Sequence, residues 1–398
     1  MKKILPSAAL LISSAVSAQN QKPNVIFIAI DDLRDFVGYF GTNTDVKTPN
    51  IDRLAARGVA FTNAHVQAPF SAPSRNSLLT GMLPSSTGAY DFQPYDSVDA
   101  FKDISPLPQH FRENEYYVAG TGKIFHNSDW SILKKAFDVF YTETENAVWN
   151  QTEKVTNPKE NIAVDKGHFN WGPTNQPDSI LEEVKRTDFI IGELQKRHLL
   201  PFFLGIGYIK PHLPFIAPRR FFNMYPLANI KPRPILDGDL SDISDAGRSF
   251  IYYNDEITIR QKQYQKQILQ AYYACISYVD EQIGRLLDAL DKSRYANNTI
   301  IVLWTDNGWH FGEKRSWRKF TLWQESTRVP LIIVPAGGTN GAKCNRPVQL
   351  LDIYPTLVKM CGIPGPDHNL EGNDLSDLIA NPEMEWKHPC LLYTSRCV

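Results

Sequence analysis

The sequence predicts an α/β fold, a sheet of mostly buried strands lying between helices. Apolar runs rich in β-branched residues at 24–30, 201–208 and 298–304 read as strands buried on both faces. Stretches with helical spacing at 49–57, 178–198 and 259–293 separate them. Each of the three strand runs ends in polar residues: Asp31-Asp32, Lys210-Pro211-His212, and Asp306-Asn307. In open α/β sheets, ligands bind beyond the carboxyl ends of the strands.

The 398 residues suffice for one large α/β domain or two smaller ones. Apolar content of 42% and aromatic content of 12% supply a large core. A net charge of −1 gives no electrostatic footprint for nucleic acid, so any anion binding falls to local basic residues. Met1-Lys2-Lys3, the apolar run 4–16 and Ser17-Ala18-Gln19 predict a secretory signal peptide, residues 1–18, cut after Ala18. The run is too short to span a membrane, and the expected location is periplasmic or secreted in a bacterium. The five cysteines match no zinc pattern, and no disulfide is assigned. At the other end, residues 390–398 break the preceding pattern, and the first six match one reading frame of a transposase sequencing adapter. They read as a non-native tail on a chain truncated near Pro389, with a genuine coil terminus as the alternative. A catalytic domain is then expected over 19–389.

In chain order, the first strand, 24–30, leads to Asp31-Asp32. Alone, such a pair is more often a solvated turn than a metal site. Thr48-Pro49-Asn50-Ile51-Asp52-Arg53-Leu54-Ala55-Ala56-Arg57-Gly58 carries a proline at a helix start and a glycine at its stop. A second strand, 59–64, feeds the loop Ala68-Pro69-Phe70-Ser71-Ala72-Pro73-Ser74-Arg75. Its prolines stiffen it, Ser74 is expected to cap a helix opening at Arg75-Asn76, and Gly81 ends that helix. Ser71 would then face the helix N-terminus, where anions are favoured. By itself this is only a capped loop.

Ser71-Ala72-Pro73-Ser74-Arg75, with a short helix and Thr80-Gly81 after it, resembles the formylglycine motif of the sulfatases. Serine in place of cysteine at the first position resembles the serine-type bacterial members. The resemblance implies that a maturase oxidises Ser71 to an aldehyde whose hydrate is the nucleophile. A plain serine hydroxyl is weak without an activating base or metal. The preceding Thr48–Ala55 string and the strand-Asp-Asp also recur in that family, which turns Asp31 and Asp32 into expected metal ligands.

A third strand at 116–120 leads into Thr121-Gly122-Lys123-Ile124-Phe125-His126. A lone Lys and His in a loop are more often surface. The Gly-Lys-x-x-His form resembles the iduronate-2-sulfatase branch, which makes Lys123 and His126 expected sulfate-binding residues. Residues 127–177 read as a loop-rich insertion. The Lys210-Pro211-His212-Leu213-Pro214-Phe215 string offers His212 either as a packed loop histidine or as a general acid. Its likeness to the same branch favours the acid at the leaving group. Residues 216–253 read as irregular, a candidate lid, and 259–293 as one long helix.

By resemblance, Asp31, Asp32, modified Ser71, Asp306 and Asn307 form an all-oxygen cage suited to Ca²⁺, with Mg²⁺ as the alternative. Arg75, about one helical turn from Ser71, is expected to hold its hydroxyl and offset charge. In the basic loop Gly312-Glu313-Lys314-Arg315-Ser316-Trp317-Arg318-Lys319, family position singles out Lys319 as a second sulfate contact. Lys314, Arg315 and Arg318 are read as solvated or as meeting other anionic groups on the substrate. A strand at 329–334 and a helix at 349–361 complete the chain. The fold implied is the alkaline-phosphatase-like sandwich, with a smaller C-terminal subdomain mostly missing. The activity implied is hydrolysis of sulfate esters on a polysaccharide or oligosaccharide. A phosphoester or phosphonate hydrolase using unmodified Ser71, and an inactive carbohydrate-binding protein, are the alternatives.

Overall fold

The computed structural model describes residues 22–93, 95–126, 130–142, 153–164, 168–236, 238–251 and 253–393. The expected signal peptide and residues 394–398 lie outside the described residues. The central sheet has nine strands. Across it run Ala342–Cys344, Val59–His65, Arg328–Val334, Thr299–Thr305, Asn24–Ile30, Phe202–Tyr208, Tyr117–Gly122 and Val139–Tyr141, with Val348–Gln349 also paired to Val59–His65. Only Arg328–Val334 runs against its neighbours. The sheet is therefore mixed and mostly parallel, as expected.

Period-two alternation sorts each strand into two cores. Ile26, Ile28 and Ile30 join one buried cluster with the helices Pro49–Ala55, Glu182–Gln195 and Gln265–Asp291. Val25, Phe27 and Ala29 join the other, with Ser71–Thr80, Leu107–Glu113 and Ile353–Cys361. Both faces are thus covered, the reason these strands read as unbroken apolar runs.

Four parallel strands occupy consecutive places in the sheet: Thr299–Thr305, Asn24–Ile30, Phe202–Tyr208 and Tyr117–Gly122. Their carboxyl ends lie on one edge, so Asp306, Asp31, the His212 turn and Lys123 emerge together.

Several local expectations are corrected. The helix expected to open at Arg75 opens at Ser71 and runs Ser71–Thr80, so Ser74 lies inside it instead of capping it. Pro73 is tolerated because a first-turn residue needs no amide donor. Gly81 stops the helix at φ 69, as expected. The long helix at 259–293 is two, Tyr253–Lys262 and Gln265–Asp291, broken where Gln263 takes φ 56. Residues 178–198 hold a single 3₁₀ turn and then the helix Glu182–Gln195. Residues 349–361 likewise open with a 3₁₀ turn. Both regions taken as irregular contribute strands. Phe169–Thr174 lies between Ile162–Val164 and Phe215–Pro218 in a three-stranded sheet, with the helix Arg219–Asn223 following.

Candidate active site

Ser71 stands at the first position of a helix every residue of which is buried. Its Oγ lies 3.2 Å from Asp31 Oδ1, 3.3 Å from Asn307 Oδ1, 3.1 Å from Lys319 Nζ and 3.4 Å from Lys123 Nζ. One hydroxyl thus meets groups from four separate chain segments. Arg75, one turn along, donates from Nε to Asp306 Oδ2 at 2.7 Å and from Nη2 to Asp31 Oδ1 at 3.3 Å. Its Nη1 donates to the carbonyls of Lys123 and Ile124. That guanidinium holds the acids and the Lys123 turn; no hydrogen bond from it to Ser71 Oγ is found among the described residues, so the direct contact expected for it is replaced by an indirect one.

Lys123 reaches the site because two glycines let its turn fold onto the neighbouring strand. A Cβ at Gly207 would sit 2.1 Å from the Lys123 carbonyl carbon, and one at Gly122, where φ is +71, 2.1 Å from the Gly207 oxygen. Lys123 Nζ donates to Asp31 Oδ2 at 2.5 Å. Lys319 arrives on the His310–Phe311 and Trp317–Arg318 hairpin, flanked by two residues at positive φ, Arg318 at 73 and Phe320 at 80. Phe320 N donates to Pro69 O at 3.0 Å, binding this loop to the Ser71 loop. Lys319 Nζ donates to Asp32 Oδ1. Lys314 pairs with Asp239 and Arg318 with Asp255. Lys319 is thus the basic-loop residue that reaches Ser71.

For Asp31, Lys123, His126, His212 and Lys319 burial opposes charge, and the neighbours set whether it prevails. Burial alone would raise the Asp31 carboxyl, yet Lys123, His212 and Arg75 hold it well below the usual carboxylate range. Burial lowers Lys123 to about 8, only partly offset by Asp31. For Lys319 the balance reverses: Asp32, Asp31 and Asp306 outweigh burial and raise it. Burial, with the charges of Lys123 and Lys319 added, pushes His126 far down, so its ring is neutral. His212 is lowered chiefly by burial, against the pull of Asp32 and Asp31. Its Nδ1 lies 2.6 Å from the Leu213 carbonyl, which can only accept, so Nδ1 carries the proton. That leaves Nε2 facing Asp32 Oδ2 at 3.7 Å.

Oxygens of Asp31, Asp32 and Asp306 all lie within 4.8 Å of one another, and all three residues are buried. Asp32 Oδ2 is buried without a hydrogen-bond partner, and Asp32 holds φ 58, a conformation unusual outside glycine. With Asn307 Oδ1 this is a hard, all-oxygen donor set, and it fits a divalent cation such as Ca²⁺ or Mg²⁺. The charges of Asp31, Asp32 and Asp306 are matched by Arg75, Lys123 and Lys319.

The site opens through a cavity of ≈ 320 Å³ whose walls include His126, His212, Lys319, Phe92, Trp309 and Phe320. A larger groove of ≈ 570 Å³ between Ile191 and Arg294 holds none of these groups. Every expected site residue therefore converges on one place. Sequence reasoning passed over Phe92 and Trp309, which line the mouth, because a single aromatic carries no positional signal. Tyr272, buried in the core, also holds the Asp32 loop, its hydroxyl donating to Asp32 O at 2.7 Å and accepting from Arg34 N at 3.0 Å.

A buried hydroxyl ringed by cations, above an acidic cluster that could hold a divalent ion, suits a hydrolase acting on an anionic ester. The chain belongs to the sulfatase family, which it matches over residues 23–363. It is a sulfuric ester hydrolase. A sulfatase of Formosa agariphila is 36% identical over 364 residues, covering 87% of this chain and 71% of that protein. Human iduronate 2-sulfatase is 32% identical over 419 residues, covering 91% and 74%. Among solved structures, a phosphonate monoester hydrolase from Silicibacter pomeroyi superposes with a TM-score of 0.74 at 20% identity, over 92% of this chain and 78% of that one. At that identity the likeness concerns the fold.

Proposed function

We propose that the enzyme removes sulfate from a sulfated polysaccharide or oligosaccharide, using a formylglycine made from Ser71 by a maturase and a divalent cation, Ca²⁺ before Mg²⁺. The observation that carries this is the buried Ser71 hydroxyl, within 3.4 Å of Asp31, Asn307, Lys123 and Lys319. A formylglycine hydrate there supplies one oxygen to attack sulfur and a second whose deprotonation releases sulfate and restores the aldehyde. A divalent cation held by Asp31, Asp32, Asp306 and Asn307 supplies polarisation of the sulfate oxygens. Lys123 and Lys319 bind those oxygens as charges, His126 as a neutral donor, and Arg75 holds Asp31 and Asp306 in place. In its doubly protonated form, which the carboxylates of Asp32 and Asp31 favour against burial, His212 gives its Nε2 proton to the departing sugar oxygen and keeps the Nδ1 proton directed at Leu213 O. The sugar is argued from the named activity of the iduronate 2-sulfatase relative, and the amino-terminal pattern supports export. Among the described residues, no helix is long and apolar enough to cross a membrane.

Mass spectrometry of the protein from a host with an anaerobic-type maturase tests this. Trypsin releases residues 58–75, and conversion of Ser71 lowers that peptide by about 2 Da. An unmodified Ser71 in a protein that cleaves phosphoesters would transfer the reading to a phosphonate-type hydrolase.

A further inference from the structure

The turn that presents His212 is held in part by a carboxylate from outside it. Over residues 209–214 two of the six are proline, leaving four backbone donors, at Ile209, Lys210, His212 and Leu213. Two of those four are captured from outside. Glu183 Oε1 accepts from Ile209 N at 2.8 Å and from Lys210 N at 2.9 Å. A third stays within the turn, His212 N donating to Ile209 O at 2.8 Å. Lys210 Nζ closes the far end on Pro214 O at 2.9 Å.

Glu183 itself is fixed. It is 1% exposed, lies in the first turn of Glu182–Gln195, and its Oε2 accepts from Arg186 Nη1 at 2.9 Å. Arg186 in turn packs where a side chain on Gly122 would stand, its Cδ 2.9 Å from that ideal Cβ. Gly122 immediately precedes Lys123. One buried ion pair therefore touches both the His212 turn and the Lys123 turn, without entering the cavity.

We propose that Glu183, braced by Arg186, is a positioning residue that sets the height and angle of His212 over the departing oxygen. The inference rests on the acid reading of His212. Losing the carboxylate frees both amides and lets the turn relax, which withdraws Nε2 from the leaving group but leaves the sulfate cage in place. Lys123, Lys319 and the acids keep their own contacts.

The test compares 4-nitrophenyl sulfate with phenyl sulfate, whose leaving phenols need little and much protonation. The readout is the ratio of their kcat/KM values in the full-length matured enzyme. His212→Ala is expected to raise the 4-nitrophenyl to phenyl ratio about 100-fold, the lower end of general acid catalysis. Glu183→Ala is expected to raise it about 10-fold, as a misplaced acid rather than a missing one. Glu183→Gln keeps the Oε1 acceptor and stays within about threefold of wild type. Glu183→Asp withdraws the carboxylate by one methylene and raises the ratio severalfold, which keeps the test open should Glu183→Ala not fold. Amide hydrogen exchange at Ile209 and Lys210 should quicken in Glu183→Ala, with the Phe202–Tyr208 strand unchanged.

A shifted ratio in His212→Ala beside an unchanged ratio in Glu183→Ala and Glu183→Asp overturns the positioning role. An unchanged ratio in His212→Ala instead removes the acid reading. Exchange then decides the clamp alone, and unaltered protection at Ile209 and Lys210 refutes it.

Discussion

Arg75→Ala offers the most direct view of how the site is balanced. Arg75 is fully buried and holds Asp306 at 2.7 Å, Asp31 at 3.3 Å and two backbone carbonyls. Its guanidinium also lies 5.3 Å from the ring centroid of Trp304. Removing one partner of a buried pair costs about 3–5 kcal/mol, because the other charge stays behind. An unfolding entropy of about 2.1 cal/mol/K per residue gives, over the 353 described residues, about 0.7 kcal/mol/K. A loss of about 4 kcal/mol then lowers Tm by about 5 °C. Arg75→Lys keeps the charge but not the fork, so about half that fall is expected. The ion effect has a definite sign as well. With Arg75 gone, three carboxylates face two ammonium groups, so a divalent cation gains affinity. Scanning calorimetry in chelator and again in millimolar Ca²⁺ should show a larger Ca²⁺-dependent rise in Arg75→Ala than in wild type. A chelated Tm within about 1 °C of wild type would refute the buried-pair argument. An equal Ca²⁺ response in both proteins would refute the competition for Asp31 and Asp306.

The same balance governs metal removal. Three acids and three cations cancel, so the added positive charge that attracts a sulfate ester would come from a bound divalent ion. Exhaustive chelation should abolish turnover and weaken inorganic sulfate binding, with Ca²⁺ restoring both; full activity in the chelated enzyme would sink this. Lys123, lowered by burial to about 8, predicts a pH break. Sulfate affinity should be flat below about pH 8 and fall by up to about tenfold per unit above it, and Lys123→Met should lack the break. Stability moves the other way: between about pH 8 and the ordinary lysine value the folded chain holds fewer protons than the unfolded one, so Lys123's contribution rises with pH. A break that persists in Lys123→Met would assign it elsewhere. Finally, Gly207→Ala drives a Cβ into the Lys123 backbone at 2.1 Å, where no flexible side chain can yield, and should cost about 3 kcal/mol or more in denaturant unfolding. Gly192→Ala, in the helix Glu182–Gln195 with nothing within 4 Å, should instead gain up to about 1 kcal/mol. Equal effects at the two glycines would remove the steric argument.

Much of this protein is legible from its sequence. Residues 24–30, 201–208 and 298–304 announce buried strands, because a strand covered on both faces needs apolar side chains at every position. Ser71, Arg75, Asp31, Asp32, Lys123, His126, His212, Asp306, Asn307 and Lys319 all stand out. Resemblance to the family picks most of them out: read alone, the Asp31-Asp32 pair, the Lys123 to His126 loop and the basic loop around Lys319 default to solvated surface.

Other features are settled only in three dimensions. Ser71 opens its helix because Pro73 fits a first turn, a matter of backbone geometry that a capping preference at Ser74 misreads. Tyr272 looks like one apolar position among many on its helix, and only packing against the Asp32 loop gives its hydroxyl two partners. The hold of Glu183 on the His212 turn joins positions 26 residues apart and has no periodic signature. Charge balance is likewise invisible: a lysine's type does not say whether burial or a carboxylate will govern it, and here Lys123 is lowered while Lys319 is raised. Sequence by itself determines the features set by a residue's neighbours along the chain, namely periodicity, turn chemistry and motif. Distances, desolvation and the pairing of charges depend on segments hundreds of residues apart being brought to one sheet edge, and those the fold alone decides.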